Sequence, residues 1–170
     1  MHDLRSDLGL VPVRPTATTR QAGCYRMREG DPIDLRVSRR HDRVPLSFLH
    51  ELGHLIDHQV APEPRRFAST EHPALKEWRA AARRLGSRVP TRAGRSHRRY
   101  FDSRKELWAR SYAQTVLLRS SDSSLHAQLT VLQRANDPFV WPEREFEPLA
   151  CEVEAVFARL DLLRSLHLAA

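Results

Sequence analysis

No apolar stretch of this chain approaches the roughly 20 residues that a membrane-spanning helix requires. Cysteine is nearly absent: Cys24 and Cys151 stand alone, with no Cys-x-x-Cys pair. A disulfide framework is thereby excluded, and the two thiols are expected to be reduced and buried. Lysine is scarce as well, since only Lys76 and Lys105 break a series of arginines among 28 basic residues. Such a skew reflects coding composition as much as chemistry, and it lowers the meaning of any one arginine cluster. Residues 1–15 carry acids and prolines and lack an uninterrupted apolar core, so no signal peptide is expected and the default compartment is the cytoplasm.

What remains is 170 residues with 41% hydrophobic and 29% charged side chains, the balance of one soluble globular domain. Residues 1–20 are rich in Pro, Thr and Arg and read as a loosely held arm, leaving 21–170 as the domain. Gly23–Arg28 and Ile33–Ser38 flank the turn-type cluster Glu29-Gly30-Asp31-Pro32, and Ile33, Leu35 and Val37 alternate with period two, which predicts a β-hairpin. From Pro45 the apolar period lengthens: Leu46, Leu49, Leu52 and Ile56 place a helix over Pro45–Gln59. Further helices are expected at His72–Leu85, Ser103–Ser120, Ser123–Arg134 and Glu143–Leu168, with a mobile loop at Gly86–Tyr100. The fold class is α+β, mostly helical beside a small N-terminal sheet.

The first helix contains His50-Glu51-Leu52-Gly53-His54, an HExxH pattern. Four residues advance a helix by slightly more than one turn, so His50 and His54 share a face and can converge on one metal. Glu51 lies about 100° around the helix, where it can reach a water at the metal without ligating. Gly53 costs about 1 kcal/mol relative to alanine inside a helix, which points to close backbone approach. His58 sits too far along the axis to join the same ion and reads as a polar surface residue. Asp57 shares the ligand face and either accepts the outer N–H of a ligating histidine or is a solvated helix-end carboxylate.

A catalytic zinc ordinarily has three protein ligands. Val60 stands where the extended metzincin pattern needs a third histidine, which excludes that class, and the remaining common solution is a glutamate on a later helix. Glu106 is the best candidate, sharing a helical face with Ala109, Arg110 and Ala113. Its competing role is specific: Ser103-x-x-Glu106 has the form of a capping box. Glu154 is the remaining alternative. Tyr100 and Phe101 read as a core anchor or, for Tyr100, as a group acting on substrate. His97 is a further proton donor nearby, and Arg110 is expected to pair with an acid near the site.

HELGHLIDH followed by Tyr100-Phe101-Asp102-Ser103-Arg104-Lys105-Glu106-Leu107-Trp108-Ala109-Arg110 resembles the gluzincin-type metallopeptidases, above all zincin-like domains of bacterial, phage and toxin proteins, including the anthrax lethal-factor-like group. A more distant similarity is to the ImmA/IrrE regulatory peptidases, though the gap between His54 and Glu106 is long for them. The resemblance spans roughly residues 20–160, with only 50–57 and 100–113 specific. It implies a zincin-like fold, a Zn2+ ion held by His50, His54 and Glu106, and catalysis by Glu51 with Tyr100 donating to an oxyanion.

Arg79 to Lys105 holds ten basic residues against the single acid Asp102, a local charge of +9 beside a chain total of +7. Such density can hold nucleic-acid phosphates or draw an acidic protein substrate. Few aromatics interleave it, which weighs against nucleic acid. The expectation is a zinc metallopeptidase acting on a protein or peptide, with an inactive interaction domain of the same fold, or a basic nucleic-acid-binding module, as the alternatives.

Overall fold

A computed structural model describes residues 11–86, 88 and 94–160. It is an α+β structure: among the described residues, three strands and seven α-helices. The strands are β1 (Val13–Thr16), β2 (Gly23–Arg28) and β3 (Asp31–Ser38). β3 is central, with β1 parallel and β2 antiparallel to it. The helices are α1 (Val44–Gln59), α2 (Ala68–Glu71), α3 (Lys76–Leu85), α4 (Arg95–Phe101), α5 (Arg104–Arg119), α6 (Ser123–Arg134) and α7 (Glu143–Arg159). No described helix is long and apolar enough to cross a membrane.

The expected hairpin is present as β2 and β3, and its turn uses Glu29 and Gly30 at positive φ. Part of the expected arm is not loose: Val13–Thr16 pairs with Leu35–Ser38, contacts too distant in sequence for a local reading to detect. Residues 1–10 lie outside the described ones. The second expected helix, His72–Leu85, is a 3₁₀ turn at Pro73–Leu75 followed by α3, and the short α2 precedes it where no helix was expected; Pro73 supplies no N–H to carry the ladder on from α2. The loop expected through Tyr100 gives way to α4, while 87 and 89–93 of that loop lie outside the described residues, as does the end of the fifth expected helix beyond Leu160.

Parity along β3 directs Leu35 and Val37 into the core against α1, and Asp34 and Arg36 to the other face. There Arg14, Arg26 and Arg36 surround Asp34, which is fully covered by them. The helical core is built on Trp78, Trp108 and Trp141, each fully buried with its indole N–H satisfied. Trp78 donates to Ser111 Oγ, Trp141 to the Gly86 carbonyl, and Trp108 to the Gly53 carbonyl at 3.1 Å. Gln114 pairs with the Trp141 backbone through both ends of its amide, at 2.8 Å each.

The contact that matters most for the site is between α1 and α5. A Cβ built on Gly53 would fall 2.9 Å from the Ala109 Cα and 3.1 Å from the Tyr112 ring. The obstacle is backbone, which cannot rotate away. Gly53→Ala is therefore expected to destabilise the protein by about 1–3 kcal/mol in urea melts, despite the better helix propensity of alanine. A stabilised Gly53→Ala protein would contradict this packing.

Candidate metal centre

α1 presents His50 and His54 one turn apart, and α5 presents Glu106 in its first turn, directly across the close contact at Gly53. The His50 and His54 Nε2 atoms are 3.2 Å apart. His50 Nε2 is 3.3 Å from Glu106 Oε2, and His54 Nε2 is 3.3 Å from Glu106 Oε1. All three side chains are buried. Around a tetrahedral ion with bonds of about 2.0–2.1 Å, ligand atoms are separated by roughly 3.3–3.4 Å, so the spacing fits a single small cation. Each imidazole faces a different oxygen of the carboxylate.

The electrostatics point the same way. Burial opposes ionisation of Glu106, but hydrogen bonds from His50 and His54 outweigh it and hold the carboxyl well below its usual range. The atoms that share protons here are also ones that can each offer a lone pair to a cation once the Nε2 protons are displaced, and they converge in a buried place. The Nδ1 atoms of both histidines are buried without a hydrogen-bond partner among the described residues. Ring packing orients them instead: His50 lies edge-on to Phe139 and His54 edge-on to Phe67.

Glu51 is buried beside this cluster and does not join it. Its Oε2 accepts the Tyr25 backbone N–H at 2.6 Å, and its side chain packs on Gly23, where a Cβ would fall 2.7 Å from Glu51 Cγ. Burial pushes the Glu51 carboxyl up, partly opposed by His50 and His54 and by the bond from Tyr25. Tyr25 is itself tethered, its hydroxyl 2.6 Å from His58 Nδ1. β2 is thus pinned to α1 at two points, and Gly23, Tyr25 and His58 shape the surroundings of Glu51. Sequence reading placed none of the three here. The pattern of β2 shows only that it is a strand, and which helix it borders is a tertiary fact.

Tyr100 lies in the last turn of α4, is 54% exposed, and lines the cleft over the cluster. Partial burial, the Glu106 charge and a hydrogen bond to that carboxylate push its phenol above the usual value. Phe101, not Tyr100, is the core anchor of the pair. His97 stacks on Phe101 with ring centroids 5.7 Å apart and stands away from the cluster.

Several expectations need correction. His58 is buried, because β2 covers the last turn of α1. Asp57 takes neither role foreseen for it: it is fully buried and accepts the Ser69 N–H and hydroxyl, both at 2.6 Å, anchoring α2 to α1. Burial raises its carboxyl to about 7 against the pull of those two bonds. Arg110 pairs with no carboxylate among the described residues. It donates to the carbonyls of Glu106, Phe101 and Pro138 and lies 3.9 Å over the Phe101 ring. Burial lowers its pKa to about 10, which still leaves it charged at neutral pH. Glu154 binds Arg119 on the surface at 2.9 Å, far from any role in the cluster. Both cysteines are free, but Cys24 is half-buried and Cys151 exposed, so neither is the core residue expected.

The cleft over the cluster has two arms that share Gln21, Gly23, Glu51, Tyr100 and Glu106. The larger, of about 370 Å³, passes His50 and has Leu46, Phe101 and Phe139 as its apolar wall. The smaller, of about 180 Å³, passes His54 and reaches Phe67 and Lys105. Compared with protein families, with curated proteins and with solved structures, the chain shows no match in any of the three.

The capping-box alternative for Glu106 has a direct geometric reading. Ser103 is the N-cap of α5, yet its hydroxyl makes no cap bond and is buried without a partner. Ser103→Ala is therefore expected to leave stability within about 0.5 kcal/mol, against the roughly 1 kcal/mol of a working cap. Denaturant melts measure the difference, and a full cap-sized loss would return Glu106 to the capping role.

Proposed function

We propose that this chain is a zinc-dependent metallopeptidase of zincin-like fold, with His50, His54 and Glu106 holding the metal. The observation that carries the reading is the convergence of two imidazole nitrogens and a carboxylate within 3.2–3.3 Å, with a second carboxylate buried beside them and uninvolved. Two nitrogens and one oxygen donor, with an open side toward a cleft, suit zinc in a hydrolytic site. Bound there, the ion would polarise a carbonyl and lower the pKa of water.

The remaining chemistry falls to the chain's own residues. Glu51 takes the proton of the attacking water and returns it to the leaving amine. Its Oε2 is held by the Tyr25 N–H, which fixes the carboxylate beside the cluster, and its raised pKa suits a group that must both take and release a proton. Tyr100, a phenol protonated at neutral pH, can donate to an oxyanion forming beneath it. Support for a peptide as the substrate comes from the open cleft beside the edge strand β2, which accommodates an extended chain.

Two measurements test this. Purified protein should carry about one zinc per chain, lost in His50→Ala and His54→Ala and strongly weakened in Glu106→Gln. Protein that neither holds nor takes up zinc removes the reading at its base. Glu51→Gln should keep zinc and the wild-type melting temperature while peptide hydrolysis falls by at least ~10²-fold. Unchanged turnover would show that another group is the base, and zinc binding without turnover in the wild type would leave an inactive domain.

A further inference from the structure

Beyond the two carboxylates of the site itself, no acidic side chain lines either arm of the cleft among the described residues. Glu106 and Glu51 together balance the charge of one divalent ion, so whatever cations line the arms are in excess. In the larger arm these are Arg20 and Arg43, with His41 beside them. Arg43 is taken up by Asp137 at 2.5 Å, whereas Arg20 is solvent-exposed. His41 brings an Nε2 that is buried without a hydrogen-bond partner. The same arm reaches Leu46 and Ser47 in the first turn of α1, a helix start with no side-chain cap and no acidic residue. The positive end of a 16-residue helix therefore adds to the field there. In the smaller arm Lys105 rests over the Phe67 ring at 5.5 Å, with its ammonium beside the path past His54. Exposed Arg95, Arg98 and Arg99 on α4 extend the same sign of charge up to Tyr100.

We propose that the substrate is an acidic peptide segment, bound extended along the cleft with carboxylates on both sides of the scissile bond, one set toward Arg20 and His41 and the other toward Lys105. This rests on the peptidase reading for the bond that is cut, but not for the preference in binding. Positive charge at both ends and none of the opposite sign free in the arms repels a basic peptide and draws an acidic one. The positive arms are walls of the site itself, so the preference belongs to the bound complex as well as to encounter.

The test uses two peptides with one central sequence, flanked on both sides by either glutamates or arginines, and the zinc-loaded protein. The glutamate peptide should have a kcat/KM higher by about tenfold or more at low salt, with the ratio shrinking as salt is raised. Arg20→Glu and Lys105→Glu should each reduce the preference, and the double variant should abolish or invert it, with zinc content unchanged. The same peptides, fluorescently labelled, are then titrated into zinc-loaded Glu51→Gln protein and their dissociation constants compared. That second readout separates the two readings: if no peptide is cut but the glutamate peptide still binds tighter and loses this in the double variant, the preference stands and the peptidase reading falls. Equal affinity, preference for the arginine peptide, binding of neither, or a preference that survives charge reversal of both residues overturns the proposal.

Discussion

Everything in the cluster depends on how closely α1 and α5 approach. At Gly53 and Ala109 the two helices meet with no room for a methyl group on α1, and the Trp108 indole binds the Gly53 carbonyl across the same contact. Glu106 is one turn before Ala109, and His54 directly follows Gly53, so the closest point of two rigid elements lies next to the three side chains that must meet. A carboxylate has a short reach. Separating the helices by the width of one methyl would leave it outside the 3.3 Å that joins it to both imidazoles.

Several polar groups are buried around α1 and α5. Glu51, Asp57, Glu106 and Arg110 are all buried, and each is answered differently. Asp57 is bound by Ser69, Arg110 by a cage of three carbonyls, and Glu51 by a strand N–H. Glu106 is answered by the two imidazoles, which are themselves left with unpartnered Nδ1 atoms, and by the Tyr100 hydroxyl. Among the described residues, His50, His54 and Glu106 are the group whose ligand atoms converge closely enough to hold an ion. Arg110 has a second consequence: by tying the Glu106, Phe101 and Pro138 carbonyls together it fixes the end of α4, the start of α5 and the approach to Phe139 as one corner. Tyr100 hangs from that corner over the cleft.

The proposed functional reading and the observed fold meet in β2. One edge of this strand is held by β3, and its other side lies on α1 through Tyr25 and Gly23. The cleft therefore has a rigid wall of backbone on one side and α4 on the other. Its charge comes from segments distant in sequence: Arg20 precedes β2, His41 precedes α1, and Lys105 lies in the first turn of α5. A sequence-local count of charge, which draws the eye to Arg79 through Lys105, misses that the field over the site is assembled from three places.

Sequence alone determined whatever depends on short-range order. The helical spacing of His50 and His54, the strand alternation around Leu35, the turn at Glu29-Gly30 and the start of α6 at Ser123 are set by periods and backbone preferences within a few residues. The choice of Glu106 also rested on a local pattern, the small residues on its helical face, and that face is the one that packs on α1. Only the tertiary structure decided the rest. Nothing local says that Val13–Thr16 joins β3, that His58 is covered by Tyr25, that Asp57 binds Ser69, or that Arg110 prefers carbonyls to a carboxylate. Each is a contact between segments whose separate patterns are compatible with exposure, and burial is what forces a polar group to find a partner. The physical division is between the geometry of one element, which its own residues fix, and the desolvation of side chains between elements, which exists only once the chain has folded.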